Sequence, residues 1–206
     1  MYDVLDLYAE PYDPKRPVVC VDEKPKQLIE DSRTSIPMKL GKPEKYDYEY
    51  IRHGKVNIFV AVEPKAGKRM AKVTARRTKQ DFAHFIKLVV DEMYTDDVEK
   101  IRVVCDNLNT HFENAFYETF DQKEVERLFN KLEFHYTPKH ASWLNAAEIE
   151  INVMDGECTG RRIKDEEMLI REVEAWENRR NKQKKKIDWR FTRRDADKKL
   201  FRHYVS

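Results

Sequence analysis

Two short stretches constrain this chain more than any other feature. Pro17 to Val21 reads PVVCV and Ile101 to Cys105 reads IRVVC. Each is rich in β-branched residues, and each stops on acid: Asp22 and Glu23 after the first, Asp106 after the second. A short apolar run of this kind suits a strand buried on both faces of a sheet. Two such strands predict a layered α/β domain with helices over the sheet. A carboxylate at the rim of a core is unfavourable without a partner, so two of them at matching places need a reason.

The segments between fill out the architecture. Residues 1–16 start with a short apolar-periodic piece and end in a Pro-punctuated stretch, which predicts a linker. Residues 24–47, with Pro25, Pro37 and Pro43, predict a long loop. NIFVAVE alternates, PKAGK is a turn, and RMAKVTARRT reads as a returning strand, so an antiparallel meander is expected beside the first strand. Thr78 and Asp81 have the spacing of a capping box. Phe82, Phe85, Ile86, Val89 and Met93 then form one apolar stripe. Residues 112–131 look helical, LEFHYTP is a short strand, and a helix is expected after Ser142. In DEEMLIREVEAWENRRN, Asp165 is placed to cap a helix, with Arg179 and Arg180 near its end. The expected sheet is mixed and has about five strands, a three-strand antiparallel meander plus parallel strands, flanked by helices.

At 206 residues the chain is long enough for one substantial core. Charged residues make up 38%, against about 25% in a typical domain. The net charge is only +2, yet residues 178–202 hold twelve bases against three acids, which points to a polyanionic partner. Cys20, Cys105 and Cys158 are scattered, which excludes a CxxC zinc motif and argues against a disulfide framework. Cys20 and Cys105 lie in apolar strands and are expected in the core. No apolar stretch of about 18 residues and no signal peptide is present, so a soluble, cytoplasmic protein is expected.

If the two acid-tipped strands are neighbours, Asp22 and Asp106 converge. Two adjacent carboxylates repel unless a cation lies between them. All-oxygen ligands suit Mg²⁺ or Mn²⁺, and two such ions about 4 Å apart can hold both oxygens of a phosphodiester displacement. A third carboxylate is expected from His140–Cys158. Leu144, Ala147, Ile151, Met154 and Cys158 make the core stripe there, and Glu148 and Glu150 flank it on opposite sides. Geometry alone does not choose between them. Asn145 and Asn152 lie on the Glu148 side and tilt the choice towards Glu148.

VVCVDEKP, VVCDNLNTH and YTPKHASWLNAAEIE, in that order, resemble the three catalytic blocks of DDE transposases. The likeness is to bacterial insertion-sequence transposases related to the mariner group (the IS-six-thirty family), and it covers nearly all of the chain from Pro17 on. It implies an RNase H-like fold, with Asp22, Asp106 and Glu148 as metal ligands for two Mg²⁺ or Mn²⁺ ions. It further implies cleavage that frees a 3′ hydroxyl, then transfer of that end to target DNA, the chemistry of DNA recombination and integration. Implied partners are the double-stranded transposon ends and target DNA, a homodimer, and a helix-turn-helix region encoded separately. Ala146-Ala147 stands where relatives often carry Pro-Ile, and nothing before Pro17 matches their DNA-recognition half. The expected division is therefore 1–16 as linker from a missing upstream DNA-binding region, 17–180 as RNase H-like catalytic domain and 181–206 as basic C-terminal extension. Candidate DNA contacts are Lys24, Lys26, Asn107, His111, Lys139, His140, Asn145, Arg161 and Arg162, all close to the motifs. Two other readings remain: an inactive remnant that only binds DNA, and another RNase H-like nuclease. The full carboxylate set favours an enzyme over the first, and the TPKHASWLNAAE block favours a transposase over the second.

Overall fold

The computed structural model of the chain describes residues 1–106, 114–139 and 141–204, the last five of these by backbone only. Its centre is a five-stranded sheet built from β1 (Val18–Asp31), β2 (Tyr50–Glu63), β3 (Lys68–Thr74), β4 (Ile101–Cys105) and β5 (Leu132–Tyr136), in the order β3-β2-β1-β4-β5. β1 pairs antiparallel with β2, and β2 with β3. β4 lies parallel to both β1 and β5. The meander and the parallel pair are thus as expected, with β1 joining the two halves.

β1 differs from expectation in length. It runs on through Asp22, Glu23 and Pro25 to Asp31 and forms a long hairpin with β2, so much of the expected loop is strand. Pairing with β4 stops at Cys20, which leaves one side of β1 open beyond that point. Proline is tolerated on such an open side because its missing N–H has no partner to serve. A register shift between Gln27 and Ile29 bends the hairpin.

Alternation along the strands sorts side chains onto two faces. Val19, Val21, Phe59, Ala61, Ile101 and Val103 face α2 (Lys79–Leu88), α3 (Asn114–Tyr117) and α4 (Gln122–Lys131). The expected stripe on α2 supplies Phe82, Phe85, Ile86 and Val89 to that core, and both hydrogen bonds of the Thr78/Asp81 capping box are present. On the other face, Ile58, Val60, Ala71 and Val73 pack against α5 (Ala147–Met154) and α6 (Glu166–Gln183). Asp165 caps α6 as expected, accepting from the Met168 N–H at 2.7 Å. Cys20, Cys105 and Cys158 are buried in the core.

The two ends of the chain are more ordered than a linker and an extension. α1 (Tyr2–Ala9) buries Val4, Leu5, Leu7 and Tyr8. Val4, Leu7 and Tyr8 lie against Cys20, Val62 and Val104. α6 crosses the expected boundary at residue 180. Beyond it Ile187 and Trp189 pack against the same cluster, and Ala196 of α7 (Arg193–Tyr204) packs with Leu5 and Leu144. The physical reason is apolar content: Ile187, Trp189 and Phe191 give the basic tail a hydrophobic side to bury. Trp189 meets Tyr8 at 4.8 Å between ring centroids, and Phe191 meets Trp143 at 5.0 Å.

Candidate active site

Register brings the first two acids together. Val18, Val19 and Cys20 stand opposite Arg102, Val103 and Val104. Two residues past the last of these pairs, β1 carries Asp22, and Asp106 follows directly on the end of β4. Period two then fixes the face. Asp22 shares the face of Cys20, and Asp106 that of Val104; both apolar residues pack against Ala146 and Ala147, at the start of α5. Glu148 lies in the first turn of that helix. The three acids therefore lie on one side of the sheet, two from strands and one from the helix that covers them.

The electrostatics agree. Asp22 is pushed up from 3.8 to about 7, chiefly by burial and then by the neighbouring charges of Glu23, Asp106 and Glu148. The opposing influence is the Glu23 N–H, which donates to Asp22 Oδ1 at 2.8 Å. Crowded carboxylates on a half-buried rim disfavour ionisation.

Glu150 takes no part in this cluster. It is fully buried on the other flank of α5, ion-paired to Arg69 of β3 at 2.8 Å with both side chains inaccessible. It also accepts from Nε and Nη2 of Arg180 of α6 at 3.1 and 3.2 Å. Of the two acids the sequence left open, only Glu148 shares Asp22's surroundings. Glu23 points to the opposite face, with Arg77 at 3.5 Å.

The expected DNA contacts divide. Asn107, His111 and His140 lie outside the described residues. Lys139 is exposed two residues beyond Thr137, whose N–H donates to the Cys105 carbonyl beside Asp106. The others make contacts within the protein, from the exposed Arg161 through the half-buried Lys24, Lys26 and Arg162 to the buried Asn145. Lys24 pairs with Asp155, and Lys26 donates to the carbonyls of Thr159 (2.5 Å) and Arg161 (2.8 Å), holding the end of the α5 segment. Burial lowers both lysines from their ordinary value. Arg161 pairs with Glu172, and Arg162 reaches Asp31 and the carbonyl of Asp47. Asn145 is fully buried between β1 and α5. Sequence adjacency to a motif placed these residues near the acids, but side-chain direction and unmet backbone carbonyls decided where they point. Tyr8 was missed altogether. Its signal was an aromatic residue in the apolar periodicity of residues 4–8.

The donor set suits a hard cation, because Asp22, Asp106 and Glu148 offer only carboxylate oxygens. Asp22 is raised by burial and then by its neighbouring carboxylates, and a cation would offset that cost of ionisation. Among the described residues, no three His, Cys, Asp or Glu side chains stand within range of a single ion. The fit is thus one of donor chemistry and shared face, with the strands supplying two ligands and α5 the third.

An antiparallel meander joined through a central strand to a parallel pair, covered by helices on both sides and tipped with acids, defines an RNase H-like α/β domain. The family model described as DDE superfamily endonuclease matches residues 17–170, and the chain belongs to that family. Among solved structures, the Mos1 mariner paired-end complex with Mn shares the fold at a TM-score of 0.56 and 14% identity, covering 89% of this chain and 54% of that one. A pre-cleavage Mos1 transpososome matches at 0.56 and 13%, covering 89% and 58%. The chain thus spans somewhat more than half the length of the Mos1 chains it matches. No curated protein matches it.

Proposed function

We propose that this chain is the catalytic domain of an insertion-sequence DDE transposase, with Asp22, Asp106 and Glu148 as its working carboxylates. It cuts DNA strands and joins a freed 3′ hydroxyl to target DNA. The observation that carries the reading is the gathering of Asp22, Asp106 and Glu148 on the face that α5 covers, where burial and the neighbouring carboxylates raise Asp22. A fold has no need to gather acids on the rim of its central strand, and strongly perturbed acids gather at functional sites. When bound, one or two Mg²⁺ or Mn²⁺ ions supply Lewis-acid activation of the phosphodiester and of the attacking oxygen. Asp22 and Asp106 extend from the ends of the paired segment of β1 and β4, and Glu148 approaches from the first turn of α5. Lys139 meets a backbone phosphate beside the acids. The substrates are double-stranded transposon ends and target DNA, and a homodimer brings two ends together. The protein works in the cytoplasm, associated with the nucleoid when on DNA; no helix among the described residues is long and apolar enough to cross a membrane.

The test is nicking of supercoiled plasmid with Mg²⁺ or Mn²⁺. The unaltered chain should nick, and Asp106→Asn should not. Equal nicking by both would overturn the assignment. The spread of the acids beyond the range of one ion favours a second reading, a remnant that binds DNA without cutting it. DNA retention with no nicking under either ion would select that reading.

A further inference from the structure

We propose that Asn145 is a positioning residue that sets the separation of Asp22 and Glu148. The proposal rests on the functional reading above. Asn145 is wholly buried. Its Nδ2 donates to the carbonyl of Val21 at 2.8 Å, and its Oδ1 accepts from the N–H of Ala147 at 3.2 Å. Val21 immediately precedes Asp22, and Ala147 immediately precedes Glu148. One side chain therefore bridges the residues before two of the three acids. Its main-chain carbonyl adds a third tie, accepting from the Glu148 N–H at 3.1 Å.

The surroundings hold this bracket rigid. The Tyr8 hydroxyl donates to the Leu144 carbonyl at 3.0 Å and accepts from the Ala146 N–H at 3.1 Å, so α1 clamps the backbone on either side of Asn145. Ala146 and Ala147 are fully buried against Cys20 and Val104, and their small side chains let α5 approach the sheet closely. The chemistry also selects the residue type. The bridge needs a donor towards the strand and an acceptor towards the helix, at the reach of an amide. Aspartate has no donor for the Val21 carbonyl. Serine can accept from the Ala147 N–H, as caps do, but is too short to reach the strand as well.

The experiment separates the two arms and needs no DNA. Asn145→Ser keeps an acceptor for the start of the helix and loses the tie to Val21. Binding of Mn²⁺ alone is measured by calorimetry or electron paramagnetic resonance, for the full chain, Asn145→Ser, Asn145→Ala and Asp22→Asn, with folding followed by circular dichroism. Groups that orient metal ligands typically contribute about 10–100-fold in affinity. Asn145→Ser should therefore remain folded and bind Mn²⁺ at least about tenfold more weakly. Asp22→Asn should abolish tight binding. Duplex DNA binding in chelator should be unchanged in Asn145→Ser, which a general loosening of the fold would not allow. If Asn145→Ser binds Mn²⁺ as the full chain does while Asp22→Asn does not, this proposal falls and the transposase reading stands. If the full chain binds Mn²⁺ no better than Asp22→Asn, both fall. If neither Asn145→Ser nor Asn145→Ala folds, Asn145 serves core stability and the proposal is overturned.

Discussion

Glu148 and Glu150 lie two residues apart on one short helix, yet their removal should have opposite effects on stability. Glu150→Ala takes away a carboxylate that accepts two hydrogen bonds from Arg180 and pairs with Arg69 where neither side chain touches water. The Arg69 guanidinium then stays buried without its counter-ion, keeping bonds to the carbonyls of Gly67 (3.1 Å) and Lys185 (2.5 Å) and to Asn181 Oδ1 (3.5 Å). Breaking one partner of a buried pair costs about 3–5 kcal/mol, because the remaining charge is left uncompensated. In a chain of this size each kcal/mol moves Tm by about 2–4 °C, so a fall of roughly 6–20 °C is expected. Arg69→Met with Glu150→Leu removes both charges and should recover much of that loss, with a coupling energy above about 2 kcal/mol. Glu148→Ala relieves repulsion on Asp22 and, without added metal, should leave stability unchanged or slightly higher. Urea and thermal denaturation followed by circular dichroism measure Glu150→Ala, Glu148→Ala, the double variant and its two single variants, Arg69→Met and Glu150→Leu. A Glu150→Ala loss below about 1 kcal/mol, or coupling below about 0.5 kcal/mol, would refute the view that this ion cluster anchors the helix.

Three further outcomes are expected. In chelator, native Asp22 keeps its proton up to about 7, whereas an unfolded aspartate releases it near 3.8. The folded state thus binds more protons in that window, and stability present below about pH 4 should fall as pH rises to about 7, by up to roughly 4 kcal/mol. Asp22→Asn should flatten that slope in urea titrations at several pH values, and an unchanged slope would contradict it. Gly67 has φ +71, and a Cβ there would meet the backbone C and O of Lys184 at 2.6 Å. Gly67→Ala should therefore destabilise by about 1–3 kcal/mol and expose residues 184–187 to protease, whereas unaltered Tm and cleavage would show that this close approach is absent in solution. Thr78→Ala removes the α2 cap and should cost about 1 kcal/mol in urea denaturation, with no effect on Mn²⁺ binding.

Local chemistry made much of the fold legible. The apolar runs at 17–21 and 101–105, the alternation in NIFVAVE, the Thr78 and Asp165 caps and the stripe from Phe82 depend on neighbours within a few residues, and each became the expected element. The order of acid-tipped strands and helix placed Asp22, Asp106 and Glu148 on one side of the sheet. What local pattern could not convey was which partner each long side chain would meet. Pro25 suggested a loop, but β1 continues because its β4 side is open there. For Lys24, Lys26 and Arg162, local pattern could not show that the fold brings Asp155 and the carbonyls of Thr159, Arg161 and Asp47 within their reach.

Glu150 shows the division most clearly. Helical periodicity placed it and Glu148 on opposite flanks of one stripe, and by itself determined no more than that. Arg69 is 81 residues before Glu150 and Arg180 is 30 after it, so no short window contains the cluster. Desolvation made the decision: a carboxylate enters a core only where cations wait for it, and those cations are brought there by strand pairing and helix packing. The sequence determined that acids would end two buried strands and line a helix. Tertiary structure alone decided that Glu150 would be neutralised inside the protein, because only the packed fold brings Arg69 and Arg180 to it.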